Sequence, residues 1–349
     1  MPNIPLGLKP CVFLAPFGTT EIVPVYKTRC AKSFSAFYLV VGVTKLIYEA
    51  SSSLTRPARY APSVRICRLG SDCTCTIEGE MIFADQALAR RLEGAEAFAC
   101  AQFAEARKRL FPESTSAWMK CAGATVVFDG VDAPTTQTFG LGLYEELAPA
   151  ALDEIERFFL DRGAEVMHEV CPFAGAATLD LLCARGYRPL EISSVLYRAV
   201  EPAAEAHPGN IRVRVIDPVE ADLWSSISAR GWASEHPEFE EFVREMGAVC
   251  AARQQSPCFL AEIDGTAGAA GALILHEGVA LFGGAATVPE LRRRGLQSAL
   301  LHERMRYAAE HSCDLAMMVA EAGSNSQRNA ERKGFRMAYT RLKWKLVGR

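Results

Sequence analysis

Apolar residues in the second half of the chain fall into short runs separated by amphipathic stretches. Strand-length runs occupy residues 211–216, 258–263, 269–276, 279–287 and 314–320. Two helical stretches follow the first run, and an amphipathic helix follows Gly295. The chain closes with alternating residues from Tyr339 to Leu346, a pattern typical of a half-buried strand. The pattern predicts a mixed α/β fold, in which a mixed and largely antiparallel sheet is flanked by helices.

The first half repeats this order of elements. Residues 85–110 predict an Ala-rich helix, and residues 137–200 predict strand, helix, strand, helix and strand. An offset of about 148 residues places Arg185-Gly186-Tyr187-Arg188 opposite Lys333-Gly334-Phe335-Arg336. The core pattern of this half includes Ile155, Phe158, Phe159 and Leu160 on a helix, and Ile192, Val195 and Tyr197 in a strand. The spacing indicates two copies of one fold.

A short Arg/Gly turn, Arg292-Arg293-Arg294-Gly295, joins the run that ends near Thr287 to the following helix. Glycine lets a backbone approach a ligand closely, and the first N–H groups of a helix favour an anion. The three arginines add positive charge beside that turn. The sequence therefore predicts a phosphate-binding turn. An ordinary surface helix and a nucleic-acid contact are the alternatives, and the second fits poorly with a net charge of -3.

These features, with the later sequence Ala330-Glu331-Arg332-Lys333-Gly334-Phe335, resemble the GNAT superfamily of acyl-CoA N-acyltransferases over residues 211–349. In that family an Arg/Gln-x-x-Gly-x-Gly/Ala turn binds the coenzyme A pyrophosphate, and here Gln297 replaces the last small residue. The resemblance implies acetyl-CoA as acyl donor and no metal. It also implies a set of coenzyme-binding residues: Ala286, Thr287, Val288, Arg292, Arg293, Arg294, Gly295, Leu296, Gln297, Ser298 and Asn329.

The resemblance to tandem GNAT proteins gives the expected domain plan. It comprises a degenerate copy at 81–200, a linker at 201–210 and a working copy at 211–349. In the first copy Glu145, Glu146, Leu147 and Pro149 stand opposite the turn residues. The two carboxylates repel phosphate, Leu147 obstructs the backbone and Pro149 lacks an N–H donor. The first copy is therefore expected to lack the phosphate site.

Residues 1–80 differ from the rest, since they carry nine Lys/Arg against five Asp/Glu and five of the 12 cysteines. Glu78-Gly79-Glu80-Met81 can be encoded by a purine-rich run before a start codon, so we hypothesise that translation begins at Met81. A genuine or poorly ordered extension is the alternative. The scattered cysteines favour reduced thiols, and Cys73-x-Cys75 lacks a complementary pair for zinc.

The reaction implied by the resemblance is direct attack of an amine on the thioester in a ternary complex. Many family members place a Tyr as general acid four residues before the Gly-Phe pair, where this chain has Ala330, so Tyr339 and water are the alternatives. Glu321, at the predicted end of a central strand, is the candidate base, with a solvated loop carboxylate as the other interpretation. His168 is interpreted as a half-buried strand residue.

The expected acceptor is a small-molecule or peptide amine, and the sequence leaves its identity and the oligomeric state open. Two other functions stay open, namely a non-catalytic acyl-CoA-binding regulatory module and transfer of an aminoacyl or longer group. The apolar run at 34–43 ends at Lys45, which is short of the ~20 residues needed to span a membrane. No membrane or nucleic-acid partner is expected, and the predicted location is the cytoplasm.

Overall fold

The computed structural model describes residues 82–201, 209–234 and 237–347. The hypothesis about Met81, the Cys73-x-Cys75 pair and most of the predicted linker at 201–210 lie outside these residues. From Phe83 onward the described residues pack as one unit. None of the described helices has the length and apolarity needed to cross a lipid bilayer.

Helices and strands alternate along the described residues in a mixed α/β arrangement. The helices are α1 (Gln86–Leu110), α2 (Pro149–Leu160), α3 (Gly175–Ala184), α4 (Ala221–Trp232), α5 (Glu240–Ala251), α6 (Leu296–Glu310) and α7 (Asn325–Arg332). The strands are β1 (Ala117–Cys121), β2 (Ala124–Phe128), β3 (Gln137–Phe139), β4 (Met167–Val170), β5 (Tyr187–Ala199), β6 (Ile211–Val215), β7 (Cys258–Ile263), β8 (Thr266–His276), β9 (Val279–Thr287), β10 (Leu315–Glu321) and β11 (Arg336–Leu346). This confirms the predicted fold class.

Local sequence explains where several of these elements begin. Asp85 caps α1, because its carboxylate accepts a hydrogen bond of 2.8 Å from the Leu88 backbone N–H. Pro149 is the first residue of α2, where a missing N–H donor costs nothing. Gly295, with φ of 91°, immediately precedes α6. The starts of α1 and α6 lie within one residue of the sequence prediction.

One eleven-stranded sheet runs through the described residues, in the order β1-β2-β3-β4-β11-β5-β10-β9-β8-β7-β6. Neighbouring strands are antiparallel except for two pairs, β3 with β4 and β9 with β10, which are parallel. β3 and β4 are the third and fourth strands from one edge, whereas β9 and β10 are the fourth and fifth strands from the other. Both sides therefore have one parallel pair flanked by antiparallel neighbours, and the side that ends at β6 has one additional outer strand.

The last strand of each half is inserted into the other half. β11 lies between β4 and β5, and β5 in turn pairs with β10 along residues Leu315 to Glu321. β5 and β11 pair with each other at the centre of the sheet. The two halves consequently share backbone hydrogen bonds on both sides of their junction.

The elements also recur at nearly constant spacing. β4 begins at Met167 and β10 begins at Leu315, which is 148 residues later. β5 begins at Tyr187 and β11 at Arg336, a separation of 149 residues. This recurrence supports the offset inferred from the sequence.

Three apolar clusters cover the sheet. One packs α6 against the second half and includes Leu300 and Phe335, and another joins α1, α4 and α5 around Phe103 and Trp224. The third packs α2 against the first half and includes Phe159. The sheet and the helices that pack on it therefore bury these clusters between them.

Two residues assigned to the core from sequence are exposed instead. Leu160 is 49% exposed because it ends α2 on its solvent side, and Ile192 is 52% exposed. β5 is buried at every position only over residues 193–197, and Ile192 lies just before that stretch. The assignment of Ile155, Phe159, Val195 and Tyr197 to the core is correct, as these side chains are buried.

A buried ionic cluster, defined here as Arg341 with Glu93, Glu96 and Glu169, fastens α1 and β4 to β11. The Arg341 guanidinium lies 2.9 Å from a Glu93 oxygen, 2.6 Å from Glu96 and 3.1 Å from Glu169. All four side chains are almost fully excluded from water. α1 and β11 come from opposite ends of the described chain. The cluster therefore joins distant segments by charge pairing, in addition to the backbone hydrogen bonds between the exchanged strands.

Candidate coenzyme site

An opening lies between β9 and β10. These parallel strands pair at only three positions, from Leu315 opposite Val279 to Met317 opposite Leu281, and then separate. Beyond that point β9 carries a bulge, because Ala272 faces Gly283 whereas Ala270 already faces Ala286. Such a bulge turns backbone groups away from the ladder and leaves them available to a ligand.

The turn after β9 leads directly into α6. Gly295 has φ of 91°, in the left-handed region that glycine adopts without strain. A Cβ atom at Gly295 would lie 3.4 Å from Cδ1 of Ile211, so conformation more than space limits a larger residue there. Gln297 donates a 2.7 Å hydrogen bond from Nε2 to Oγ1 of Thr287. Gln297 thus joins the end of β9 to the first turn of α6.

A cavity of about 620 Å³ lies between this turn, α6 and α7. It is lined by Ala285, Thr287, Leu291, Arg293, Gly295, Leu296, Gln297, Ser298, Leu301, Arg304, Met318, Ser326, Arg328, Asn329, Ala330, Arg332 and Lys333. Five of these residues are cationic and none is acidic. The cavity therefore presents a positive field at the N-terminus of a helix, which favours a multiply charged anion.

One face of α7 forms a wall of the cavity. Ser326, Asn329, Ala330 and Lys333 follow one another at intervals of three, one and three residues, which is helical spacing for a single face. Ser324 begins this helix by accepting a hydrogen bond of 3.2 Å from the Gln327 backbone N–H. Ala330 is buried. It occupies the position where the resemblance leads one to expect a Tyr.

Seven of the coenzyme residues predicted from sequence line this cavity: Thr287, Arg293, Gly295, Leu296, Gln297, Ser298 and Asn329. The other four do not. Ala286 and Val288 are buried. Arg292 donates from Nη2 to the Gly231 carbonyl at 3.0 Å and to Ser234 Oγ at 2.7 Å. Arg294 pairs with Asp264 at 3.4 Å.

Sequence reasoning missed the four other cations of the cavity, which are Arg304, Arg328, Arg332 and Lys333. Arg328 and Arg332 are four residues apart on α7, and this spacing could have placed them together. Arg304 gives no comparable signal, because charged residues are common in amphipathic helices.

Neither candidate catalytic residue lines the cavity. Glu321 is exposed as the last residue of β10, opposite Ser193 of β5 in the ladder. Tyr339 is buried on β11 and donates a 2.9 Å hydrogen bond to Glu93 Oε1. Burial raises the pKa of Tyr339 well above its usual value, and the charge of Glu93 adds to this rise. The structure thus brings together the phosphate turn and Asn329 but leaves Tyr339 in the ionic cluster.

Just before the matching turn of the first half, two glycines pack closely against other side chains. A Cβ atom at Gly142 would lie 2.2 Å from Thr178 Oγ1, and one at Gly140 would lie 2.6 Å from Tyr144 Cε2. Leu147 is buried in the core, while Glu145 and Glu146 are exposed. His168, interpreted from sequence as half-buried, is completely buried, and this burial lowers its pKa to about 3.

Comparison with known proteins agrees with this geometry. Residues 194–322 match the family model described as acetyltransferase (GNAT) domain. These residues are thus similar to a GNAT acetyltransferase domain, and the matched range begins inside β5 and ends just after β10. No curated protein matches the chain in sequence.

Solved structures share the fold at low sequence identity. A GCN5-related N-acetyltransferase from Kribbella flavida aligns with a TM-score of 0.51 and 17% identity over 72% of this chain and 96% of its own. A conserved protein of unknown function from Staphylococcus epidermidis aligns with a TM-score of 0.49 and 7% identity over 69% and 98%. A tandem GNAT protein from the clavulanic acid biosynthesis pathway aligns with a TM-score of 0.48 and 14% identity over 77% and 98%. At these identities the first alignment bears on the fold alone, and the other two carry no further weight.

Proposed function

We propose that this protein is an N-acetyltransferase that moves the acetyl group of acetyl-CoA to an amine by direct attack in a ternary complex. The observation that carries the proposal is the cavity beside the α6 N-terminus, with five cationic residues and no acidic one in its lining. Coenzyme A carries several phosphate charges and a long neutral arm, so it needs both a cationic region and a narrow opening between strands. This chain offers the two features side by side.

In the proposed complex the pyrophosphate is bound by the first N–H groups of α6 and by Arg293. Helix N-termini bind phosphate because their N–H groups are unpaired and their dipole is positive. Arg293 lines the cavity next to Gly295. Arg328 and Arg332 of α7, with Lys333 directly after it, supply charge for the remaining phosphate. Asn329, between them, has an amide that can hydrogen-bond the coenzyme.

The acyl end of the coenzyme is proposed to extend toward the opening between β9 and β10. The amine nitrogen attacks the thioester carbon, the C–S bond breaks, and the amine loses a proton to a base. Glu321 is the proposed base, since it ends β10 at the side where the strands have separated. Tyr339 is not assigned a proton, because its hydroxyl is engaged with Glu93 outside the cavity.

The first half is proposed to be a degenerate GNAT copy that supports the second. Leu147, which is buried opposite Gly295, and Pro149, which lacks an N–H donor at the helix start, support the loss of its phosphate site. The insertion of β5 beside β10 supports a structural role, since this strand completes the sheet of the second half. One coenzyme per chain is the consequence.

A non-catalytic acyl-CoA-binding module is the second candidate. It is favoured by Ala330 at the cavity and by the enclosed hydroxyl of Tyr339, which together remove the usual phenol from the site. The two candidates differ in turnover but not in coenzyme binding.

The test is release of free thiol from acetyl-CoA in the presence of a panel of primary amines, amino acids, polyamines and peptides. The acetyltransferase proposal predicts amine-dependent thiol release that is lost in Gly295→Glu and kept in Gly265→Glu. Gly265 is the matched control, because it also has positive φ and nothing lies near its Cβ position. Coenzyme binding without turnover on any amine would support the binding module instead.

A further inference from the structure

Arg304, in the middle of α6, is a buried cation bonded only to neutral groups. It is 3% exposed. Its Nε donates to the Leu300 carbonyl at 3.1 Å, and its Nη1 donates to the carbonyls of Ala272 and Gly283 at 3.1 and 3.2 Å. Its guanidinium also lies 5.1 Å from the centroid of the Phe282 ring. All three acceptors are backbone carbonyls, and among the described residues no neighbouring carboxylate raises the pKa of Arg304.

The fold makes room for this arginine. A Cβ atom at residue 271 would lie 3.2 Å from Cζ of Arg304, and glycine at that position leaves the space open. The two carbonyls that accept from Nη1 belong to Ala272 and Gly283, the residue pair that borders one side of the bulge in β9. None of the three hydrogen bonds uses Nη2. Two N–H groups of a buried guanidinium are thus left for another partner.

Arg304 lines the same cavity as the phosphate turn, together with Ala285 of the bulge, Met318 of the separating strand and Ala330 of α7. A buried charge without a counter-ion is costly, and it is usually paired. The missing partner is therefore expected to be an anion that enters the cavity. The other charged residues that line it are Arg293, Arg328, Arg332 and Lys333, all cationic.

We propose that Arg304 stabilises the coenzyme A thiolate as it leaves the acetyl group. This inference rests on the proposed function. The amine nitrogen bonds to the acetyl carbon, the C–S electron pair moves to sulfur, and the amine proton goes to the base. The thiolate accepts a hydrogen bond from Nη2, and Arg304 keeps all its protons. Water then supplies the proton that gives free coenzyme A.

In this role the positive charge of Arg304, rather than a proton donor, stabilises the leaving thiolate. Preorganised donors aimed at a developing negative charge are among the strongest catalytic devices in a site that excludes water. Burial lowers the pKa of Arg304 to about 10, so the guanidinium remains protonated at neutral pH. A permanent cation at this position would explain how the site can use Ala330 where a phenol is common.

The experiment measures the pKa of the coenzyme A thiol bound to the full-length protein, from the ultraviolet absorbance of the thiolate over a pH series. Free coenzyme A in the same buffers gives the reference. Arg304→Met removes the charge and Arg304→Lys keeps it. Arg306→Met is the matched control, since Arg306 is on the same helix but is exposed and paired with Glu303 and Glu310. Circular dichroism checks that each variant is folded.

The wild type and Arg306→Met are expected to hold the thiol pKa at least about one unit below that of free coenzyme, which is a tenfold preference for thiolate. Arg304→Met is expected to return the pKa to the free value and to lower kcat about 100-fold or more, with little change in KM for acetyl-CoA. Arg304→Lys keeps the positive charge, so it is expected to keep most of the thiol pKa shift even when the hydrogen bonds to the carbonyls of Ala272 and Gly283 weaken. Desulfo-coenzyme A should bind the wild type and Arg304→Met equally.

An unshifted thiol pKa in the wild type would overturn the inference and leave the proposed function intact. Equal losses of acetyl-CoA, coenzyme A and desulfo-coenzyme A affinity in Arg304→Met, with the thiol pKa unchanged, would show that Arg304 only holds the bulge and would also overturn it. Failure of the wild type to bind coenzyme A would overturn both this inference and the proposed function.

Discussion

Replacing Arg341 with Met should destabilise the protein strongly, because Arg341 is the cation of the buried ionic cluster. Three carboxylates surround its guanidinium at 2.9, 2.6 and 3.1 Å, and none of them reaches solvent appreciably. Lys343 is 3.8 Å from Glu169 and can compensate that carboxylate only in part. Glu93 and Glu96 would lose their main counter-charge.

Breaking a buried ion pair by removing one partner costs about 3–5 kcal/mol, because the remaining charge stays desolvated. A whole domain is stable by about 5–15 kcal/mol, so a loss of this size is a large fraction of the total. Arg306→Met removes an exposed pair and should cost about 0–1 kcal/mol. Urea denaturation of the two variants, followed by circular dichroism, measures this difference.

The loss should grow with pH. Burial raises the pKa of Glu93 even in the wild type, and Arg341 is the principal influence that opposes the rise. Without Arg341 the folded state binds protons more tightly than the unfolded state does. Stability therefore falls as pH rises from the ordinary Glu value of about 4.3 toward the raised folded-state pKa. The Arg341→Met defect should be smallest near pH 4.5 and largest at neutral pH.

A double replacement provides the internal check. Glu93→Gln with Glu96→Gln, added to Arg341→Met, should recover part of the lost stability and flatten the pH dependence, since the unpaired charges are removed. The reasoning would be refuted if Arg341→Met and Arg306→Met had the same urea midpoint at neutral pH.

Three further predictions concern the coenzyme turn and the shared sheet. Gly295→Glu should weaken acetyl-CoA binding by at least about 100-fold while the protein stays folded, and calorimetry with Gly265→Glu as control checks this; unchanged affinity would place the site elsewhere. Reversing Glu145 and Glu146 to Arg should change coenzyme affinity and stoichiometry little, because Leu147 and Pro149 still obstruct the first-half turn, and a second calorimetric site would contradict this. A chain restricted to 209–349 should be insoluble or largely unfolded by circular dichroism, because β10 loses its β5 neighbour; a soluble fragment as active as the full chain would show that the first half is dispensable.

Much of the fold could be predicted because hydrophobic periodicity reports which face of an element is buried. β7 and β9 have the bounds read from the sequence, and the helix after Gly295 begins where the turn ends. The order of the strands in the sheet could not be predicted in this way, because the alternation of apolar and polar residues does not reveal which strands are neighbours. The insertion of β11 between β4 and β5 had no local signal in the sequence.

The candidate site was predictable to the extent that it depends on one continuous segment. Gly295, Gln297 and Ser298 line the cavity, as the motif suggested. Adjacent arginines could not be told apart by sequence, yet Arg293 faces the cavity while Arg292 bonds to Ser234 and Arg294 to Asp264. These differences come from tertiary partners that lie many residues away along the chain.

Calorimetric titration of the full-length protein with acetyl-CoA tests the central claim most directly, because it counts coenzyme sites without knowledge of the acceptor amine. The account predicts one site per chain, with affinity that falls as salt rises because the cavity lining is cationic. The single site should be absent in Gly295→Glu and present in Gly265→Glu. Two equivalent sites, or no binding by the wild type, would contradict the account.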